Sequence, residues 1–168
     1  GKDTLLERMA EMSHDLRLHF VATATTRAAR PGEVEGINHH FLSRASFEEM
    51  IARNEFLEWA EVYGNLYGVP REQVRTALAE GKHVLCRVDV QGAARLRALI
   101  PEAVFVFVLP PSMAALRERL LQRAHDSDES LARRLAAARS EIEQADGFDY
   151  QLLNSDGELD QTVSRLID

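Results

Sequence analysis

The chain has 168 residues, 45% apolar and 28% charged, which suits one well-packed domain and excludes a disordered segment. A net charge of −7 argues against a nucleic-acid-binding surface, and the longest apolar run, 103–109, stops at Pro110-Pro111, far short of a membrane span. The single cysteine, Cys86, forms no intrachain disulfide; inside the apolar run 84–88 it reads as a buried strand thiol, so a reducing, cytoplasmic setting is expected.

Apolar positions 5, 6, 9 and 12 have helical spacing and predict a helix over 4–12. Residues 18–24 read as one strand, 27–38 as a turn-rich loop and 39–42 as a short strand. Ser46 with Glu49 three residues on is a capping-box pattern that opens a helix to about 53. Residues 56–63 alternate as a strand, and Pro70 suits the first turn of a helix to about 80. A strand over 83–88, a helix over 91–99, a strand over 103–109 and a helix over 112–123 follow. Asp126 with Glu129 opens a long helix to about 145, and a strand over 150–153 and a helix over 159–167 complete the series. Strands followed by long helices predict an α/β fold with a parallel sheet. The short strands of 36–69 break that rhythm and read as an inserted lobe outside the sheet.

Residues 25–36, Thr-Thr-Arg-Ala-Ala-Arg-Pro-Gly-Glu-Val-Glu-Gly, place Arg27 and Arg30 on a loop that follows a strand. Guanidinium forks match phosphate oxygens, although a solvated basic loop has the same composition. Gly1-Lys2 directly before a helix is the second half of a phosphate-binding loop, G-x-x-x-x-G-K-[ST]. Asp3 stands where that motif has a metal-binding hydroxyl, and a carboxylate is itself a ligand for a hard cation. Glu58 offers two acceptors, as the adjacent N1–H and N2–H of guanine require; it also reads as a plain surface Glu. Tyr67 offers a hydroxyl to a phosphate or simply packs. Asp89 follows the 83–88 strand, where ligands gather in open α/β sheets, or caps the next helix. Arg119, Arg123, Arg133 and Arg134 flank the acidic stretch 125–129, and such charges suit phosphoryl transfer or ordinary helix-surface pairs.

Taken together, Gly1-Lys2, 25–36, 56–70, 88–93 and 148–154 resemble the guanylate kinases, P-loop nucleoside monophosphate kinases, from residue 1 to about 167. The resemblance implies a P-loop parallel sheet with helices on both faces, a GMP-binding lobe over 22–79 and a mobile lid over 119–138. By the same resemblance, the first strand and first half of the P-loop would lie before residue 1 and are missing from this chain. It implies transfer of the γ-phosphoryl group of ATP to GMP, with Mg2+, no nucleic-acid or membrane partner, and a monomer or homodimer. Gly1, Lys2, Asp3, Thr4 and Asn154 would lie on the ATP side, with Asp3 a possible metal ligand. Arg27, Arg30, His39 and Tyr67 would hold the GMP phosphate. Glu58 and Thr23 would meet the base, and Asp89 the GMP side or a magnesium-bound water. Lys2, Arg123 and Arg134 would act on the transferring group. Four positions depart from the usual pattern: His39 replaces a Tyr, Val69 a base-contacting Ser or Thr, Asp3 a hydroxyl and Arg87 an acid. Asp3 and Arg87 look like features of a branch found in plant organellar enzymes and some bacteria. A ribose 1,5-bisphosphate kinase and a non-catalytic guanylate-kinase-like scaffold are the alternatives; Glu58 argues against the first, and Lys2, Asp89, Arg123 and Arg134 against the second.

Overall fold

The structure is a computed structural model that describes residues 2–123 and 128–167. In chain order these form α1 (Lys2–Met12), β1 (Leu18–Phe20), β2 (Thr23–Thr25), β3 (His39–Phe41), α2 (Arg44–Ala52), β4 (Phe56–Val62) and β5 (Asn65–Pro70), then α3 (Arg71–Ala79), β6 (His83–Leu85), α4 (Val90–Leu99), β7 (Val106–Leu109), α5 (Met113–Arg123), α6 (Asp128–Ile142), β8 (Tyr150–Leu153) and α7 (Leu159–Ile167). They fall into two compact units, 14–102 and the paired segments 1–13 and 103–168.

In the 14–102 unit the strand expected over 18–24 is two strands in two sheets. β1 pairs in parallel with β6, whereas β2 enters a sheet of order β3-β2-β5-β4. The apolar run has strand propensity throughout, and periodicity cannot register a change of partner. Ala22, at the crossing, is served by a side chain: its N–H donates to Gln73 Oε1 at 2.7 Å, and Gln73 Nε2 donates to its carbonyl at 3.5 Å. An amide thus stands in for missing ladder bonds.

β5 is a strand that the alternation did not predict. It is joined to β4 through Tyr63 (φ 50°) and Gly64 (φ 80°), two left-handed residues whose twist suits a tight hairpin. The register slips between Phe56, opposite Pro70, and Glu58, opposite Val69. This bulge turns Glu58 inward, where it is buried. Behind the sheet, Phe47 stacks on Phe56 with centroids 4.4 Å apart, among buried Ala24 and Leu66. Gly68 lets these rings approach the backbone: a Cβ there would lie 2.7 Å from Phe56 Cδ1 and 3.0 Å from Phe47 Cζ. Gly68→Ala is therefore expected to destabilise the protein by about 1–3 kcal/mol. Thermal unfolding checks this, and an unaltered midpoint would show that the ring pair yields.

Three further expectations are corrected. α2 is capped by Ser43, whose Oγ accepts from Ser46 N at 3.0 Å, so the helix starts ahead of the Ser46 capping box. Two serines three residues apart offer the same local signal, and the end of β3 at Phe41 selects the earlier one. β6 ends at Leu85, which leaves Cys86 beyond the strand and exposed, not a buried strand thiol. β7 begins at Val106, because the chain just before it is held by a loop exchange: Phe105 N donates to Asp149 Oδ2 at 2.7 Å and Asp149 N to the Phe105 carbonyl at 2.9 Å.

In the other unit β7 and β8 pair in parallel, Val106 opposite Tyr150 through Leu109 opposite Leu153. α1 packs on α7 through Leu5, Met9 and Val163, all buried, and Arg8 grips Asp160 with Nε–Oδ1 at 2.7 Å and Nη2–Oδ2 at 2.9 Å. α6 ends at Ile142, short of 145, and a single 3-10 turn at Ala145–Gly147 leads on to β8. Asp126, the expected cap of α6, lies outside the described residues. No helix among the described residues is long and apolar enough to cross a membrane.

Candidate functional site

The loop after β2 is built around one carboxylate. Arg27 N donates to Thr25 Oγ1 at 3.2 Å, which turns the side chain back across the loop. Its Nη1 and Nη2 donate to Glu33 Oε2 and Oε1, each at 2.8 Å, and Nη1 also reaches the Ala28 carbonyl at 2.7 Å. Glu33 Oε2 accepts again from Arg30 N at 2.7 Å, closing the Pro31-Gly32 turn. The paired side chains are only 13% and 17% exposed. The Glu33 hydrogen bonds, with Tyr67 adding to them against burial, keep the Arg27 guanidinium firmly charged. Burial works to raise Glu33, but Arg27 and the Arg30 N–H hold it below the usual carboxylate range. The guanidinium carbon lies 5.7 Å from the Phe41 ring centroid, and Arg27 Nε is buried with no hydrogen-bond partner among the described residues. Arg30 is exposed.

Beside this loop, β2 and β3 bring Thr23 opposite His39. His39 Nδ1 lies 3.2 Å from the Thr23 carbonyl and 2.9 Å from Thr23 Oγ1. A carbonyl only accepts, so Nδ1 carries the proton and Nε2 is the acceptor of the neutral ring. The Tyr67 ring stands edge-on with centroids 6.2 Å apart. Burial, then the charges of Arg87 and Arg27, lower the His39 pKa, so the ring is neutral in the free protein at pH 7. Arg87 Nη2 donates to the Asn38 carbonyl, strapping the segment after β6 to the residue before His39.

Glu58 and Asp89 meet the first turn of α4. Asp89 caps that helix, Oδ1 accepting from Gly92 N at 2.8 Å, so the capping reading is realised. Glu58 lies against Gly92 so closely that a Cβ there would fall 2.9 Å from Oε1 and 3.0 Å from Oε2. Burial first, then Asp89, push the Glu58 carboxyl up to about 7, against the pull of Arg95. Val69, opposite Glu58, is fully buried with Val21 and Val74. The structure thus gathers Thr23, Arg27, Arg30, His39, Glu58, Tyr67 and Asp89 in one unit. Glu33, Gly92 and Arg95 were missed. Glu33 had a faint signal, an acid three residues after Arg30 in a Pro-Gly turn; the contacts of Gly92 and Arg95 with Glu58 are non-local.

The remaining candidates belong to the other unit. Lys2, Asp3 and Thr4 form the first turn of α1. Asn154 is buried just past β8; its N–H donates to the Leu109 carbonyl at 2.8 Å, and its carbonyl accepts from Arg119 Nη2 at 2.8 Å. Arg119 also pairs with Asp156. Arg134 is half-buried on α6. Gly1 lies outside the described residues, as does the side chain of Arg123, the last residue of α5.

A loop of arginines whose buried donor is unanswered among the described residues, in the same unit as a buried carboxylate of raised affinity for protons, suits the binding of a phosphorylated ligand that carries hydrogen-bond donors, as a nucleotide does. Comparison with known proteins narrows this. The family model for guanylate kinase matches residues 1–168. The guanylate kinase of Carboxydothermus hydrogenoformans is 44% identical over 156 residues, 93% of this chain and 76% of that protein. That of Trichormus variabilis is 46% identical over 158 residues, 94% and 78% of the two chains. The crystal structure of guanylate kinase from Anaplasma phagocytophilum superposes with a TM-score of 0.80 at 31% identity, covering 98% of this chain and 78% of the other. The chain belongs to the guanylate kinase family.

Proposed function

We propose that the protein transfers the γ-phosphoryl group of ATP to GMP, giving ADP and GDP, with the acceptor held by the 14–102 unit. The observation that carries this assignment is Arg27. Glu33 fixes its two terminal nitrogens, and its buried Nε–H is left without an acceptor among the described residues, which a phosphate oxygen would supply. Arg30, Tyr67 and His39 join Arg27 on that phosphate, while Glu58 meets N1–H and N2–H of guanine, with Thr23 nearby and Asp89 on the same side. The lobe is residues 22–79. Coupled assays of ATP consumption with GMP, AMP and ribose 1,5-bisphosphate test the assignment. Turnover with GMP is expected, and no turnover with any acceptor would favour a binding scaffold.

Phosphoryl transfer asks the protein for position and positive charge. Lys2 serves the ATP phosphates from the start of α1, with Gly1 and Thr4 beside it, and Asn154 the adenine side. Arg134 and Arg123, in a lid over 119–138, serve the moving group. Among the described residues no three His, Cys, Asp or Glu side chains gather as a metal cage. Magnesium keeps water and substrate phosphate as most of its ligands and needs one or two carboxylates. Asp3, in the first turn of α1, is the carboxylate that would hold it, and the ion would neutralise phosphate charge.

His39 gives the acceptor site a pH dependence. Neutral in the free protein, it gains stabilisation as imidazolium beside a phosphate dianion, so binding GMP draws in a proton. GMP affinity should therefore weaken as pH rises through the His39 pKa of the complex. Titration calorimetry between about pH 6 and 9 checks this, and a His39→Tyr variant with the same profile would sink it.

A further inference from the structure

We propose that Arg95 is a positioning residue for base selectivity: anchored on the Trp59 carbonyl, it favours the ionised, acceptor-only form of the buried Glu58 carboxylate. The proposal rests on Glu58 as the residue that meets the guanine edge.

The geometry is set by α4. Gly92 and Arg95 are three residues apart and so lie on one face of the helix. Gly92 gives Glu58 room, and one turn on Arg95 reaches the same carboxylate, with Nη1 3.5 Å from Oε2. The same Nη1 donates to the Trp59 carbonyl at 2.6 Å, so a side chain that is 46% exposed is tied to the strand carrying Glu58. The charged and titratable groups facing Glu58 are Asp89 from the turn before α4, Cys86 from the segment after β6 and Arg95 from α4. Asp89 and burial favour a protonated Glu58, the Cys86 thiol is neutral, and Arg95 is the cation among them.

The chemical consequence is direct. Guanine presents two neighbouring donors, and a protonated Glu58 would set its own donor against one of them. The ionised fraction of Glu58 therefore scales GMP affinity, and affinity rises with pH through the Glu58 transition, opposite in sign to the His39 effect. Removing Arg95 moves that transition to higher pH, and from a midpoint of about 7 one unit of movement costs about fivefold in affinity at pH 7.

The test is steady-state kinetics of the full chain as wild type, Arg95→Met, Arg95→Lys and Glu58→Gln, over about pH 6 to 9. Arg95→Met should raise KM for GMP up to about fivefold at pH 7, with the defect fading toward pH 9 and kcat moving far less than KM. Arg95→Lys should restore much of the wild-type profile, and its profile decides if the Met variant does not fold. A KM profile for Arg95→Met parallel to wild type at every pH overturns the proposal. If Glu58→Gln collapses the preference for GMP over AMP while the Arg95 variants stay silent, the role of Arg95 alone falls. If Glu58→Gln leaves that preference intact, the Glu58 reading and the proposal fall together.

Discussion

Glu58→Gln is expected to lower kcat/KM for GMP by about a hundred- to a thousandfold and to bring the preference for GMP over AMP toward unity. The change is isosteric, so the close contact with Gly92 is kept. What is lost is the charge and one acceptor, and the new amide donor faces a donor on the base. The same substitution should stabilise the free protein above neutral pH. Burial raises the Glu58 pKa from about 4.5 to about 7, so folding favours its protonated form. That stability is complete below the unfolded value and is lost as pH rises through about 7, a difference of roughly 2–3 kcal/mol. A glutamine cannot ionise and escapes the loss. A variant with a higher melting temperature at pH 8 and little GMP selectivity is the expected pairing. A lower melting temperature there would show that Glu58 is a structural residue, and an unchanged GMP-to-AMP ratio would remove it from the site.

Arg27→Met should raise KM for GMP by about a hundredfold or more and destabilise the protein by about 1–3 kcal/mol at neutral pH. The two effects have different origins. Affinity falls because the buried Nε–H and its charge leave the phosphate site. Stability falls because Glu33, 17% exposed, keeps the Arg30 N–H but loses both bonds of the fork. Arg27→Lys separates them: an ammonium can pair with Glu33 but cannot hold a carboxylate through two nitrogens and offer a third donor elsewhere. Lysine should recover part of the stability and little of the affinity. The sign with pH is also fixed. The Glu33 pKa is lowered in the folded state, so its contribution is present above the unfolded value and is lost as pH falls through the folded one. The stability gap between wild type and Arg27→Met should close in acid. A gap that persists there would mean that Arg27 acts through packing.

The legible parts of this protein were those whose chemistry is local in sequence. Arg27 and Arg30 with the Pro-Gly turn stood out as a candidate phosphate loop within a dozen residues, and the helices of the 103–168 segment followed their periodicity to within a few residues. Partner choice was not legible. Nothing in residues 18–24 says that the strand leaves one sheet for another at Ala22, and the β4–β5 hairpin was hidden because Tyr63-Gly64 is an unusual pair for a left-handed two-residue turn. Glu58 stood out by type, but its surroundings come from Asp89, Gly92 and Arg95, more than thirty positions away, and only folding reveals that its proton is held to about pH 7. The family itself emerged from several short blocks kept in order, which local propensity does not capture.

The amide of Gln73 at Ala22 bears on how freely this fold can be altered. A hydrogen-bonded ladder transmits twist and length from strand to strand, whereas the crossing from β1 to β2 is bridged by a side chain on α3 and by apolar packing around Val21. The mixed sheet that carries Thr23, His39, Glu58 and Tyr67 is in this sense a module. Length changes at strand ends remote from Val69 are expected to leave the β1–β6 pair in place, provided that Gln73 and the packing of Val69 on Val21 and Val84 are kept.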